Sequence, residues 1–274
     1  MAAEAAFGVL AGSLALLADA GHNLGDVLGL ALSWGATVLG RRRPSMRFTY
    51  GFRSSSILAA LANAIILLVV TGGIAWEAVL RLSAPASVAG RTVALVAAAG
   101  IVVNGATALL LAGGRKGDLN IRSAFLHMLA DILVTAGVLV AGVAVALTGQ
   151  DWVDPAVSLL VCVVIVYGTW GLVREAVGLA LDAVPAGIDA AAVRTRLAGY
   201  SGVAAIHDLH IWGMSTTEVA LTAHLVIPDG HPGDDFLGRV CHDMHDRFGI
   251  GHSTLQVETA SGSAPCALAP DHVV

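Results

Sequence analysis

His22 and Asp26 stand four residues apart in the run ADAGHNLGDVLGL, with SLALL before it and more Leu and Ala after it. On a helix that spacing puts both side chains on one face, a turn apart. The apolar flanks set the pair inside a membrane-spanning helix, where an aspartate costs about 2.5–3.5 kcal/mol on insertion scales. The pattern recurs in SAFLHMLADILVTAG, as His127 and Asp131. A lone intramembrane histidine can be an ordinary interhelical hydrogen-bonder. A repeated HxxxD in a second apolar helix weighs against that bland reading. Two imidazoles and two carboxylates facing each other make a four-ligand cation site.

The composition supports the membrane setting. Mean hydropathy is +0.78 and charged residues make up 13% of the chain, against about 25% in a soluble domain. Residues 1–182 hold 11 Lys+Arg and 10 Asp+Glu, whereas 183–274 hold 4 and 10, with eight of the ten histidines. A nearly neutral hydrophobic part thus precedes an acidic, His-rich one. That balance argues against nucleic acid and suits cations. The three cysteines, Cys162, Cys241 and Cys266, are scattered and odd in number, so no disulfide framework is implied. Cys162 lies in an apolar run and reads as a buried small residue.

Six apolar segments are expected: Met1 to about Ala18, then 20–40, 57–80, 92–112, 121–147 and 153–173. The first, interrupted by Glu4, barely crosses a ~30 Å hydrocarbon core, and reads as a short helix or the second half of a truncated one. It lacks the positive n-region of a signal peptide. The sixth opens with Asp154-Pro155, an N-cap followed by proline at the first helical position. Arg41, Arg42, Arg43, Arg47 and Arg53 crowd the 2–3 loop, and Arg115, Lys116 and Arg122 the 4–5 loop. The 1–2 turn and 5–6 loop carry no Lys or Arg. The positive-inside rule then predicts cytoplasmic N- and C-termini.

Residues 183–260 read as a small cytosolic α+β domain of order αββαβ: a helix from Asp189 to about Tyr200, strands over 203–212 and 218–227, a helix over 235–248 and a strand over 253–258. The order suits an open-faced sheet with helices on one side. Residues 261–274, rich in Gly, Ser, Ala and Pro, read as a flexible tail.

Zn²⁺ takes four ligands in a tetrahedron and accepts imidazole nitrogen and carboxylate oxygen. Two aspartates neutralise its charge in low dielectric. When metal leaves, the emptied carboxylates and imidazoles tend to take up protons, so such a site suits exchange. Asp19 and Glu77, near helix ends, read as solvated or capping groups, and Asn63 and Asn104 as interhelical hydrogen-bonders. In the C-terminal part, His207, His224, His252 and Glu258 stand on or beside strands and could form a second metal site, with surface histidines as the alternative. His207 and His210, three apart, are expected to point oppositely. Cys241, His242 and His245 on the second helix read as a solvated face.

The stretches SLALLADAGHNLGDVLGLALSW, YGFRSSSILAALANAIILL, LNIRSAFLHMLADIL, DPAVSLLV, VAAIHDLHIWGM, ALTAHLVI and GIGHSTLQVE together resemble the cation diffusion facilitator family, in its zinc-efflux subgroup. The resemblance implies six transmembrane helices, a homodimer, metal-for-proton exchange by alternating access and a ferredoxin-like, metallochaperone-like cytosolic domain. It places the transport site on His22, Asp26, His127 and Asp131, and a cytosolic zinc site on His207, His224 and Glu258, with His252 nearby and Cys266 as the available tail cysteine. The family's acid after the Tyr-Gly turn is replaced by Ser54–Ser56.

The expectation is therefore an integral, multi-pass protein of a bacterial inner membrane that exports Zn²⁺ in exchange for protons, with Cd²⁺ or Co²⁺ as other cargoes. A metal sensor that does not transport is the alternative. An intramembrane metalloenzyme fits less well, because the chain has no HExxH and neither HxxxD segment contains a glutamate to act as base.

Overall fold

A computed structural model describes residues 1–113, 119–259 and 266–269. Arg115, Lys116, His272 and most of the expected flexible tail lie outside the described residues. Six helices come first: α1 (Ala2–Ala11), α2 (Leu14–Gly40), α3 (Ser55–Ser83), α4 (Gly90–Ala112), α5 (Leu119–Thr148) and α6 (Val153–Ala180). α3, α4, the 124–148 part of α5, and α6 are long and apolar enough to cross a bilayer, with hydropathy of 2.1–2.4. α2 has 27 residues but is interrupted by Asp19, His22, Asn23 and Asp26, and α1 has only 10.

The α1–α2 boundary differs from the expectation. It falls at Gly12–Ser13, not at 18–20. Gly12 has φ 65°, a left-handed conformation that closes α1, and a Cβ there would lie 2.9 Å from the Ser87 carbonyl oxygen. Ser13 then caps the new helix, its hydroxyl accepting the Leu16 N–H at 3.1 Å. SLALLA is thus the opening of α2, which carries Asp19 inside the helix.

The chain divides into two compact units, one of residues 1–31 and 62–172, the other of 32–61 and 173–274. The first is a helical bundle whose buried core includes Ala15, Leu16, Ala18, Val93, Ala97, Val138 and Val161. Small residues there let helices approach closely. A Cβ on Gly142 would sit 2.7 Å from the Ala94 nitrogen of α4, so α4 and α5 meet backbone to backbone.

In the second unit, α7 (Ala190–Ala198) begins at Asp189, whose carboxylate accepts the Ala191 and Ala192 N–H groups at 2.9 and 3.2 Å. β1 (Ala205–Gly213), β2 (Val219–Val226), α8 (Asp234–Phe248) and β3 (Ile250–Glu258) follow. The sheet order is β1-β2-β3, antiparallel then parallel. Val193 and Leu197 of α7 and Phe236, Val240 and Met244 of α8 pack with Ile206, Ile211, Leu221, Ala223, Leu225 and Ile250 in one core. That leaves His207, Thr222, His224, Gln256 and Glu258 on the other sheet face. The α2–α3 loop docks on the β1–β2 turn: Arg53 pairs with Glu218 at 2.7 Å, and Ser56 Oγ accepts the Thr216 N–H at 3.1 Å.

β1 contains a bulge. His207 faces His224, but His210 faces Thr222, so three steps on β1 match two on β2. Asp208 takes φ 50° to make the extra step. His207 and His210 therefore share a sheet face, correcting the expectation from strict alternation.

Candidate metal centres

The two HxxxD pairs converge within the helical bundle. His22 Nε2 lies 3.9 Å from Asp26 on its own helix and 3.5 Å from Asp131 on α5. His127 Nε2 lies 3.7 Å from Asp131 on its own helix and 3.3 Å from Asp26 on α2. Each imidazole thus faces both carboxylates. With metal–ligand bonds of about 2.0–2.1 Å, a tetrahedral Zn²⁺ site has edges of roughly 3.3–3.4 Å, so these four distances need little adjustment. His22, Asp26 and Asp131 each offer a ligand atom within 4.8 Å of the others. His127 stands farther from His22, with ring centroids 6.3 Å apart. Asp131 is 2% exposed, and its Oδ1 and His22 Nδ1 are buried without a hydrogen-bond partner among the described residues.

A cavity of about 480 Å³ reaches Asp26, His127 and Asp131 and is also lined by Glu4, Asn23 and Asn104. Glu4 accepts a hydrogen bond from Asn23 Nδ2 at 3.3 Å. The sequence shows Glu4 only as an interruption of an apolar segment. Its place beside Asp26, His127 and Asp131 comes from the turn at Gly12, which folds α1 back along α2.

Asp19 is neither solvated nor a cap, as its expected place near a helix end had suggested. It is 1% exposed, and the Thr135 hydroxyl lies 3.0 Å from its Oδ2 and 2.9 Å from the Asp131 carbonyl oxygen. The pairs Asp26–His127, His22–Asp131 and Asp19–Thr135 form successive rungs along one α2–α5 seam. The spacing of three to four residues on each helix sets them there. Asn63 packs against Gly29, while Glu77 pairs with Arg81 at 2.9 Å.

The sheet's polar face gathers a second group. His207 Nε2 lies 3.1 Å from Glu258 Oε2, His224 Nδ1 lies 2.8 Å from Glu258 Oε1, and Cys266 Sγ lies 3.6 Å from His224 Nδ1. These four offer ligand atoms within 4.8 Å of one another. Two imidazoles, a carboxylate and a thiol form a donor set that suits a closed tetrahedral Zn²⁺ site. Burial pushes the Glu258 carboxyl up, but hydrogen bonds from His207, Cys266 and His224 outweigh it and hold the group below its ordinary value. The bulge adds Asp208, with Oδ2 at 3.4 Å from His224 Nε2 and Oδ1 at 2.8 Å from His210 Nε2. Strand alternation gives no sign of Asp208.

His252 is not brought to this group. It pairs in register with Ala220, toward the other end of β3 from Glu258, and its ring lies 5.7 Å from that of Tyr50. On α8, His242 is 78% exposed and paired with Asp246 at 3.1 Å, as befits a solvated face.

Two family models match. Residues 1–179 match the cation efflux transmembrane domain, and residues 185–260 match the cytoplasmic domain of cation efflux proteins. The metal cation efflux system protein CzcD of Cupriavidus metallidurans is 33% identical over 265 residues, covering 96% of this chain and 83% of that protein. The zinc transporter ZitB of Escherichia coli is 35% identical over 260 residues, 94% of this chain and 83% of that one. A cadmium, cobalt and zinc/H⁺-K⁺ antiporter of Bacillus velezensis is 33% identical over 266 residues, 95% and 85% of the two chains.

Proposed function

Because the chain belongs to the cation efflux family, we propose that it exports Zn²⁺ across a bacterial inner membrane in exchange for protons, with Cd²⁺ and Co²⁺ as alternative cargoes. The carrying observation is the crossed geometry of the two HxxxD pairs. Each imidazole lies within 3.9 Å of both carboxylates, on two different apolar helices. His22, Asp26, His127 and Asp131 take the ion from its water and neutralise its charge. Protons replace it on the same groups after release, which avoids leaving two carboxylates uncompensated at low dielectric. This is transport, with no bond of a substrate made or broken. The names of the relatives, a zinc transporter and a cadmium, cobalt and zinc/H⁺-K⁺ antiporter, support this reading.

In the same reading, residues 1–182 are the transport domain and 183–260 a cytosolic domain through which two copies associate, with 261–274 as its tail. His207, His224, Glu258 and Cys266 hold a regulatory Zn²⁺ there. The arginines crowding the α2–α3 loop support cytoplasmic termini by the positive-inside rule. Proteoliposomes loaded at one pH and diluted into another test the proposal. Zinc uptake should follow the imposed proton gradient, collapse with protonophore, and vanish in Asp131→Ala. Uptake indifferent to the gradient, or undiminished in Asp131→Ala, overturns it.

A further inference from the structure

Asp154 opens α6 in a sequence that reads as the cap of that helix, yet its carboxylate serves another. It is 1% exposed. Its Oδ1 accepts the Ser13 hydroxyl at 2.5 Å, and its Oδ2 accepts the Leu14 N–H at 2.7 Å. Both donors belong to the start of α2. A helix N-terminus presents unpaired N–H groups and a partial positive charge, so a carboxylate there both bonds and neutralises. Ser13 completes the arrangement by accepting the Leu16 N–H while donating to Asp154. From α3, Arg81 Nη1 donates to the Gly12 carbonyl at 2.7 Å while its Nε is held by Glu77 at 2.9 Å. Two helices thus grip the turn from which the ligand-bearing helix departs.

We infer that Asp154 is a positioning residue for the transport site: by capping α2 from α6 it fixes where His22 and Asp26 stand against His127 and Asp131. The lever is short. His22 lies eight residues beyond Leu14, about 12 Å along the helix at 1.5 Å per residue. A tilt of about 5° at the capped end moves His22 by about 1 Å, against a tolerance of about 0.2 Å in metal–ligand distances. This rests on the reading of the four residues as the transport site.

The test is zinc binding and transport by the full chain in a His207→Ala/His224→Ala background, which removes both imidazoles of the second metal group. Asp154→Asn keeps the shape but turns one acceptor into a donor facing the Ser13 hydroxyl or the Leu14 N–H. The expected result is a zinc Kd and transport KM raised about tenfold, equivalent to about 1.4 kcal/mol. Asp154→Glu, which keeps the charge, should restore most of the affinity. Ser13→Ala should weaken binding less, and the Ser13→Ala/Asp154→Asn pair should lose less than the sum of the two single losses, because the Ser13–Asp154 bond is counted in both. If Asp154→Asn does not fold, Ser13→Ala with Asp154→Glu carries the test. An unchanged Kd and KM, or lost thermal stability with unchanged Kd, overturns the inference. Failure of the parent chain to bind or carry zinc would instead sink the underlying site assignment.

Discussion

Thr135→Val probes the seam that holds the four candidate ligands together. Valine fills the space of threonine but removes the hydroxyl that reaches Asp19 Oδ2 at 3.0 Å. Asp19 and Thr135 are each 1% exposed, and the hydrogen bonds to the Asp19 carboxylate found among the described residues come from Thr135. A buried acceptor left without its partner costs about 1–3 kcal/mol, more if charged. About 2 kcal/mol lowers the Tm of a domain this size by roughly 4–8 °C. Zinc binding needs α2 and α5 held in register, so part of the same loss should appear as weaker binding, up to roughly tenfold for each 1.4 kcal/mol transmitted. Thermal unfolding and zinc titration of the purified protein measure the two effects. Adding Asp19→Asn removes the stranded charge and should recover stability. Thr135→Val with wild-type Tm and zinc affinity would refute the view that Asp19–Thr135 is a structural rung of this site.

The C-terminal α+β part should respond to pH. The Asp243 carboxylate accepts from Arg196 Nε, Tyr200 OH and Arg247 Nε, each at 2.6 Å, joining α7 to α8. These partners, Arg196 foremost, hold Asp243 well below the ordinary aspartate range. A carboxyl depressed in the folded state contributes stability above its unfolded pKa and loses it as pH falls. Unfolding of this region should therefore ease as pH drops below about 4, and Asp243→Asn should flatten that acid limb in denaturant titrations. At the other extreme, burial and then Asp243 push Tyr200 up to about 12, so its contribution fades as pH climbs from 10 toward 12. In the helical bundle, Gly142→Leu should separate α4 from α5 and cost several kcal/mol by overpacking, since even a Cβ there would meet the Ala94 nitrogen at 2.7 Å. Circular dichroism during thermal unfolding would register it.

Much of this was legible in the chain itself. Aspartates and histidines are expensive in apolar helices, so a repeated HxxxD marks a candidate site, and the structure brings the two pairs together. Strand alternation and the Asp189 cap likewise foretell the αββαβ order. What stayed hidden has long-range or conformational causes. Hydropathy runs smoothly through Gly12–Ser13, so the left-handed turn that separates α1 from α2 leaves no trace in it, and Asp19 is misread as a helix-end residue. The Asp-Pro pair signals a cap, but not that Asp154 caps a helix distant in sequence. Alternation assumes one residue per step, which the bulge at Asp208 violates. Aspartate is among the residues that tolerate positive φ. Cys266 reaches His224 only because residues 266–269 turn back onto the sheet, with the Leu268 carbonyl oxygen 3.3 Å from His207 Nδ1.

The central claim is that two helices hold one Zn²⁺ through two imidazoles and two carboxylates. X-ray absorption spectroscopy on the zinc-loaded protein, with His207 and His224 replaced by alanine, tests it directly. The account predicts one zinc per chain in a four-coordinate shell of nitrogen and oxygen at about 2.0 Å with two imidazole signatures, lost on Asp26→Ala/Asp131→Ala. A sulfur shell near 2.3 Å, or undiminished binding in the double variant, would contradict it.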